Sequence, residues 1–300
     1  MKRSVYNLKF ITPCLCAGSN QAIAEIRAPS IRGKLRWWFR VLGGSQEQES
    51  EVFGSTSGGS SNASAIIVRV SMTEQVSWEP PHVHGMSDEG YLLYFAKVAG
   101  KPKGSSGDGP RWNPAGAIGV GSRFQLNILQ MRPISSQSQA VLDLAIRSFL
   151  VFGSLGLRST RGLGAFECVE LPASEENIRR LAVDIKKTCP SFLIEKATYA
   201  GPLGLPLLKA MGAQLRALRK GYSAGKTGGN PTPLGTSNPR QSSAVYLRPV
   251  LVGQEAHLWV FEAPALKVLG AESRKGAPRI GSGLPSPSVD HKNDRNNRWR

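Results

Sequence analysis

Two segments of this sequence concentrate groups that grip anions. In SIRGKLRWWFRVL, residues 30–42, Arg32, Arg36 and Arg40 recur at i, i+4 and i+8, which makes one stripe if the segment is helical. With Arg27 and Lys34, five cations stand between Arg27 and Arg40 and no acid lies among them. Like charges four residues apart disfavour an isolated helix by about 0.2–0.5 kcal/mol per pair, and a phosphate backbone would offset that repulsion. A solvated helix face, with arginine stems covering apolar surface, is the other reading. Trp37 falls off the apolar face, where it can stack on a base or pack under a loop. The second segment, SLGLRSTRGLGAF at 154–166, sets Gly156, Gly162 and Gly164 around Arg158, Ser159, Thr160 and Arg161. Glycine permits positive φ and close backbone approach, so free amides and two guanidinium groups would make a phosphate-binding loop. An ordinary helix-to-strand turn needs one glycine rather than this many.

Other chemistry is weaker. GYSAGKT at 221–227 looks like a phosphate-binding Walker loop, but Lys220 stands where the first glycine belongs and a helix precedes it, so nucleotide binding is not expected. Cys14 and Cys16 lack a second cysteine pair, and His82 and His84 lack further ligands nearby, so no zinc is expected. Asp88 and Asp108 fall in loops with nothing around them to complete a metal site, and no Ser/His/Asp grouping is present. The expectation is a chain with no metal, no cofactor and no catalytic residue.

Periodicity supplies the elements that position these residues. Alternation predicts strands over 5–11, 65–72, 118–130 and 166–171, and helical spacing predicts helices over 31–42 and 138–152, the first capped by Ser30. The order β-α-β-β-α-β over 1–172 is the ferredoxin-like arrangement, whose open four-stranded sheet RNA-recognition modules often use. Beyond it, helices are expected over 174–188 and 205–220 and strands over 244–252 and 256–263, which suggests a second, degenerate ferredoxin-like domain over 173–269. The fold class expected is α+β, tandem ferredoxin-like, with a flexible basic tail over 270–300. The stretches 43–63, 99–117, 221–243 and 270–300, rich in Gly, Ser, Pro or Asn, read as loops or disorder.

Charge narrows the function. Lys and Arg number 38 against 21 acids, a formal charge of +17, which calls for a polyanionic partner. No acid occurs between Glu195 and Glu255, a span that holds Arg216, Arg219, Arg240 and Arg248. Asp143 and Arg147 interrupt the best apolar run, at 140–157, and MKRSVYNLKF has no apolar stretch behind its basic start. Four cysteines fit a reducing cytoplasm. These features lead to a cytoplasmic protein that binds nucleic acid and has no membrane partner.

SLGLRSTRGLGAF resembles the C-terminal glycine-rich loop of the RAMP superfamily of CRISPR proteins, with Ser154 in place of the first glycine. FITPCLCAGSNQAIAEIRAPSIRGKLRWWFRVL, followed by EVFGST at 51–56, is similar to the start of the first-subunit family of the type III-B (Cmr) effector. GPLGLPLL at 201–208 and RQSSAVYLRPV at 240–250 resemble later RAMP elements at looser spacing. The resemblance implies a non-catalytic subunit at the head of an RNA-guided complex, contacting the 3′ region of the guide RNA and the target RNA beside other RAMP subunits. The residues it implies as RNA-binding are Arg27, Ser30, Arg32, Gly33, Arg36, Trp37 and Arg40 from the first helix region and Arg158, Ser159, Thr160, Arg161, Gly162 and Gly164 from the loop; Lys34, Gly156 and Arg240 join them as candidate RNA-binding residues from the basic and glycine-rich segments themselves. A RAMP endoribonuclease that processes guide precursors is the alternative. Such enzymes often use an early histidine, and here the first is His82.

Overall fold

The computed structural model describes residues 1–20, 23–56, 61–78, 87–93, 117–223, 233–235, 242–264 and 268. Arg240, His82, His84, Asp108, the 270–300 tail and most of 99–117 and 221–243 lie outside the described residues. The first half runs β1 (Lys2–Phe10), β2 (Cys14–Leu15), α1 (Ala28–Val41), α2 (Gln46–Phe53), β3 (Ile66–Glu74), α3 (Asp88–Leu92), β4 (Ala117–Ile118), β5 (Arg123–Gln130), α4 (Ser136–Phe152) and β6 (Phe166–Cys168). Four of these strands make an antiparallel sheet in the order β3-β5-β1-β6. Leu8 and Phe10, Phe124, Leu126 and Ile128, and Ile66 and Val68 share its buried face, in one core with Ile31, Leu35 and Trp38 of α1 and Leu142, Ile146 and Phe149 of α4. This is the period-2 and period-3.6 patterning expected from the sequence, and it delivers the β-α-β-β-α-β order. The opposite face carries Arg3, Asn7, Gln125 and Asn127, with Arg3 Nη2 donating to Asn127 Oδ1 at 2.7 Å and Asn127 Nδ2 to Gln125 Oε1 at 3.1 Å. None of those positions is aromatic, so this open face offers bases no stacking platform.

The second half is α5 (Glu175–Thr188), β7 (Leu193–Gly201), α6 (Leu205–Ser223), β8 (Val245–Val252) and β9 (Glu255–Glu262). The strands form a three-stranded antiparallel sheet, β7-β9-β8. One face, with Val245, Leu247, Leu258 and Val260, packs on Leu207, Leu208, Met211, Leu215 and Leu218 of α6. The other, with Tyr246, Val250, Trp259 and Phe261, joins the core of the first sheet. Phe261 stacks on Tyr246 with ring centroids 4.7 Å apart and lies 5.7 Å from both Trp38 and Phe152. Residues on both sides of position 172 therefore share one aromatic cluster, and Arg248 ties them further. Buried at 2% exposure, its Nε donates to the Val151 carbonyl at 2.8 Å and its Nη2 to that of Phe166. Burial pulls its guanidinium down to about 9, still charged at neutral pH.

Four local expectations are corrected. The stretch 43–63 holds helix α2, begun by a reciprocal capping box between Ser45 and Gln48. Ser30 is not the cap of α1: the helix starts three residues earlier than expected, with Arg27 at the cap position and Pro29 in the first turn, where a missing N–H costs nothing. The strand expected over 118–130 is two strands, because Gly121 turns the chain with φ +93°. Strand β7 is unanticipated, since its alternation is blurred by a bulge between Lys196 and Ala200.

Candidate nucleic-acid interface

Helix α1 presents two flanks to two different neighbours. On one, Arg36 Nε and Arg40 Nε both donate to the carboxylate of Glu49 on α2, and Arg40 Nη2 adds a bond of 2.6 Å. Arg32 donates to the Phe53 carbonyl and lies over the Phe53 ring. The stripe thus has an acid within reach, contrary to the expectation from the sequence, and Glu49 supplies the compensation assigned there to phosphate. Burial pushes the Glu49 carboxyl up, but the bonds from Arg40 and Arg36 outweigh it and hold it below its usual range. On the other flank, Trp37 packs with its ring centroid 5.3 Å from that of Tyr246 on β8, so it lies against protein rather than open for a base. Lys34, on the same side, reaches the glycine-rich loop, its Nζ 3.1 Å from Ser159 Oγ, and burial lowers its ammonium. Arg27 and Ser30 are exposed at the N-terminal end of the helix.

The loop between α4 and β6 is built from close backbone contacts. Gly156, Gly162 and Gly164 take φ values of +79°, +90° and +66°. A Cβ on Gly164 would collide with the Leu155 carbonyl, and one on Gly156 would lie 2.5 Å from the Leu15 carbonyl. Several of its amides are engaged within the fold, which corrects the expectation that they are free donors. Leu155 N bonds to Gly164 O at 2.9 Å, Leu157 N to Leu15 O at 2.7 Å and Gly164 N to Pro13 O at 2.8 Å. Thr12, buried and not singled out from the sequence, donates from Oγ1 to Gly162 O and accepts from Ala165 N, both at 2.8 Å. Ser154, at the position where the family pattern has glycine, uses its hydroxyl to hold the Ser159 carbonyl at 2.8 Å. Each glycine therefore has a packing reason of its own.

What the loop offers a ligand is its side chains. Ser159, Thr160 and Arg161 form a 3-10 turn next to β8, and Thr160 is half-buried. Arg158 is the only non-glycine residue among those described with positive φ, at 60°. That conformation costs an L-residue roughly 1–2 kcal/mol. Arg161 is buried, donating to the Leu234 carbonyl at 3.1 Å and to Ser243 Oγ at 3.4 Å. Burial, then the nearby charge of Arg219 on α6, pull the Arg158 guanidinium to about 10; burial, Arg219 and Arg158 do the same to Arg161. Arg216 and Arg219 both lie over the ring of Tyr91 on α3, at 4.6 and 5.3 Å from its centroid. Asp88 holds Arg216 with Oδ1 at 2.9 Å from Nε, so this carboxylate serves an ion pair. The structure brings Lys34 to the glycine-rich loop at Ser159 and, separately, sets Arg216 and Arg219 of α6 over the Tyr91 ring. It sets Arg32, Arg36 and Arg40 apart, on the far flank of α1. Among the described residues no group of three or more His, Cys, Asp or Glu side chains could hold a metal, and no helix is long and apolar enough to cross a membrane.

Comparison with known proteins agrees with the loop and the sheet. Residues 7–167, more than half of the chain, match the RAMP superfamily. The CRISPR system Cmr subunit Cmr1-1 of Pyrococcus furiosus is 32% identical over 173 residues, 53% of this chain and 44% of that protein. Cmr1-2 of the same organism is 24% identical over 188 residues, 56% of this chain and 95% of its own length. The chain thus spans less than half the length of the first relative and nearly all of the second. The crystal structure of apo Cmr1 from Pyrococcus furiosus gives a TM-score of 0.52 at 19% identity, with 88% of each chain covered. A chain of the type III-B Cmr-beta complex bound to cognate target RNA gives 0.51 at 12% identity, over 86% of this chain and 93% of that one. At such identities the two structures speak for the fold. Sheet order, glycine-rich loop and matched span converge: the chain belongs to the RAMP superfamily, and its relatives there are Cmr subunits of CRISPR systems.

Proposed function

We propose that this chain is a non-catalytic, RNA-binding subunit of a type III-B CRISPR effector, working in the cytoplasm beside other RAMP subunits. Its RNA is the 3′ region of the guide, together with the paired target. One observation carries the reading: a braced loop holds Arg158 in the left-handed conformation directly before Ser159, whose hydroxyl Lys34 Nζ meets at 3.1 Å, so that cationic and hydroxyl donors suited to a backbone phosphate belong to one loop. The likeness to Cmr1 subunits, and to a chain of a complex bound to target RNA, supports the same class of ligand. In this reading the two sheets are tandem ferredoxin-like units. The second is degenerate: β7, α6, β8 and β9 repeat the first sheet's β-α-β-β portion, with strand order β8-β9-β7 matching β3-β5-β1. Arg36 and Arg40 act chiefly to hold α2 on α1, and the loop side of α1 faces the RNA.

The test is anisotropy titration of a labelled single-stranded RNA against the purified chain across a salt series. Two to four phosphate contacts give a log K against log salt slope of about −1.4 to −2.8, from roughly −0.7 per contact on single strands. Changing Arg158 to Ala should weaken all sequences alike, since phosphate contacts position rather than specify. Incubation with guide precursor and target RNA, with and without Mg²⁺ or Mn²⁺, should leave both intact. Saturable cleavage abolished by one substitution would establish the endoribonuclease instead, and binding insensitive to salt would remove the phosphate reading.

A further inference from the structure

Where the two sheets close on each other, Arg248 brings in a charge that the protein does not balance. Both bonds of this buried side chain, from Nε to Val151 O at 2.8 Å and from Nη2 to Phe166 O at 2.5 Å, end on neutral carbonyls. Its guanidinium carbon stands 5.4 Å from the centroid of the Phe166 ring, which favours a cation without cancelling it. Among the described residues no carboxylate pairs with it, and burial alone moves its titration, as it does where no charge stands near. Glu262, the buried carboxylate of β9, falls in the row of Leu258 and Val260 on the other face of the sheet. The remaining nitrogen, Nη1, is buried and has no acceptor among the described residues. Its neighbour has the same defect. Trp259 stands directly opposite Arg248 in the register of β8 and β9 and faces the same core, and its indole Nε1 is buried without an acceptor as well. Side chains paired in this way start about 4.5–5.5 Å apart at Cβ, so both donors reach one small ion between them. Lys196, opposite Trp259 on β7, is neutralised by Glu175 at 3.0 Å and needs no further partner.

A buried charge ordinarily has a counter-charge, and a buried N–H an acceptor. Arg248 and Trp259 together present two unpaired donors and one positive charge, with nothing to receive either. A water molecule would accept both bonds, yet it would leave the charge uncancelled. It would also turn its own two hydrogens toward the flanking aromatic row of Tyr246 and Phe261. Sulfate or phosphate would have four oxygens to satisfy and only two donors to do it. A monatomic anion accepts both bonds, cancels the charge and has no hydrogen to place. We propose that Arg248 Nη1 and Trp259 Nε1 bind one chloride-sized monovalent anion at the junction of the two sheets. The ion completes the link by which β8 holds the end of α4 and strand β6, and it enters as the sheets close. Its effect falls on the stability of the folded chain and is independent of the RNA-binding reading.

The test melts the full chain at pH 7 in mixtures of sodium chloride and sodium gluconate held at one ionic strength. An anion that binds only the folded state lowers the unfolding constant by the factor 1 + [chloride]/Kd. At ten times Kd this is about elevenfold, a rise of roughly 3–6 °C in melting temperature for a chain of this size. Trp259→Phe keeps an aromatic ring and removes one donor. In gluconate alone it should melt at or above the wild-type temperature, because an unpaired N–H is gone. It should then need about tenfold more chloride for the same rise, the loss of one bond to a charged group. Arg248→Met should lose the response altogether. Crystals grown in bromide should show an anomalous peak beside Arg248 Nη1 and Trp259 Nε1. Equal melting temperatures across the chloride series would overturn the proposal. So would a bromide map with water alone between the two donors. An identical chloride response in wild type and Trp259→Phe would place the ion elsewhere and overturn this site.

Discussion

Glu49 decides whether the arginine stripe of α1 is a structural clamp or an RNA ligand, and Glu49→Gln separates the two. The carboxylate is 8% exposed and receives bonds from Arg36 and Arg40, whose side chains are 38% and 58% exposed. A bond to a charged group is worth about 1.5–3 kcal/mol when shielded, but the exposure of both arginines screens the pairs, so about 2 kcal/mol in total is expected. At roughly 2–4 °C per kcal/mol for a domain of this size, unfolding should move down by about 4–8 °C. The sign with pH follows from the lowered carboxyl of Glu49. A group whose folded pKa lies below its unfolded value contributes stability above the unfolded value and loses it as pH falls through the folded one. Wild type and variant should therefore differ fully at neutral pH and converge as pH falls below about 4, the ordinary carboxylate range. Calorimetric or circular-dichroism melts at stepped pH measure this. The RNA salt slope should stay the same, because freeing Arg36 and Arg40 adds no phosphate contact. Equal melting temperatures at pH 7, or a gap that persists in acid, would refute the clamp. A slope steeper by about 1.4, two more phosphate contacts, would return the stripe to the RNA interface.

Four further sites probe the loop and the elements around it. Thr12→Val keeps the shape but leaves Gly162 O and Ala165 N without partners, so urea unfolding should register a loss of about 2–4 kcal/mol, with Thr12→Ser restoring most of it. Gly164→Ala meets both a positive φ and the Leu155 carbonyl and should prevent native folding, read as loss of soluble protein or of a cooperative melt. Gly33→Ala, in the middle of α1 with nothing within 4 Å of the added Cβ, should instead stabilise by about 0.5–1 kcal/mol. Arg248→Met strips donors from the Val151 and Phe166 carbonyls and should cost about 3 kcal/mol in denaturant unfolding, with the aromatic cluster between the sheets loosened.

Most of the first half was legible in the sequence because its elements are amphipathic with regular periods. Leu8 and Phe10 alternate with polar neighbours, and Ile31, Leu35 and Trp38 recur at helical spacing, so strand and helix follow from which residues must leave water. The loop was legible as well, through glycines whose conformations no other residue adopts cheaply. Helix α2 was missed for a different reason: QEQESEVF is polar along most of its length, and its signal lies in the Ser45 to Gln48 capping box rather than in apolar periodicity. Missing α2 hid Glu49, and with it the partner of the arginine stripe.

Local order, and which residue types cluster, were thus determined by the sequence: the β-α-β-β-α-β succession, the buried faces and the basic, glycine-rich loop. Which cations meet, and what they meet, was decided by the tertiary structure alone. Arg36 and Arg40 turn to Glu49, Trp37 turns to Tyr246, and Arg216 and Arg219 turn to the ring of Tyr91. The physical reason is that periodicity states which side of an element leaves water, while pairing of charges depends on distances between elements far apart in the chain. Those distances exist only once the two sheets have closed on their shared aromatic core.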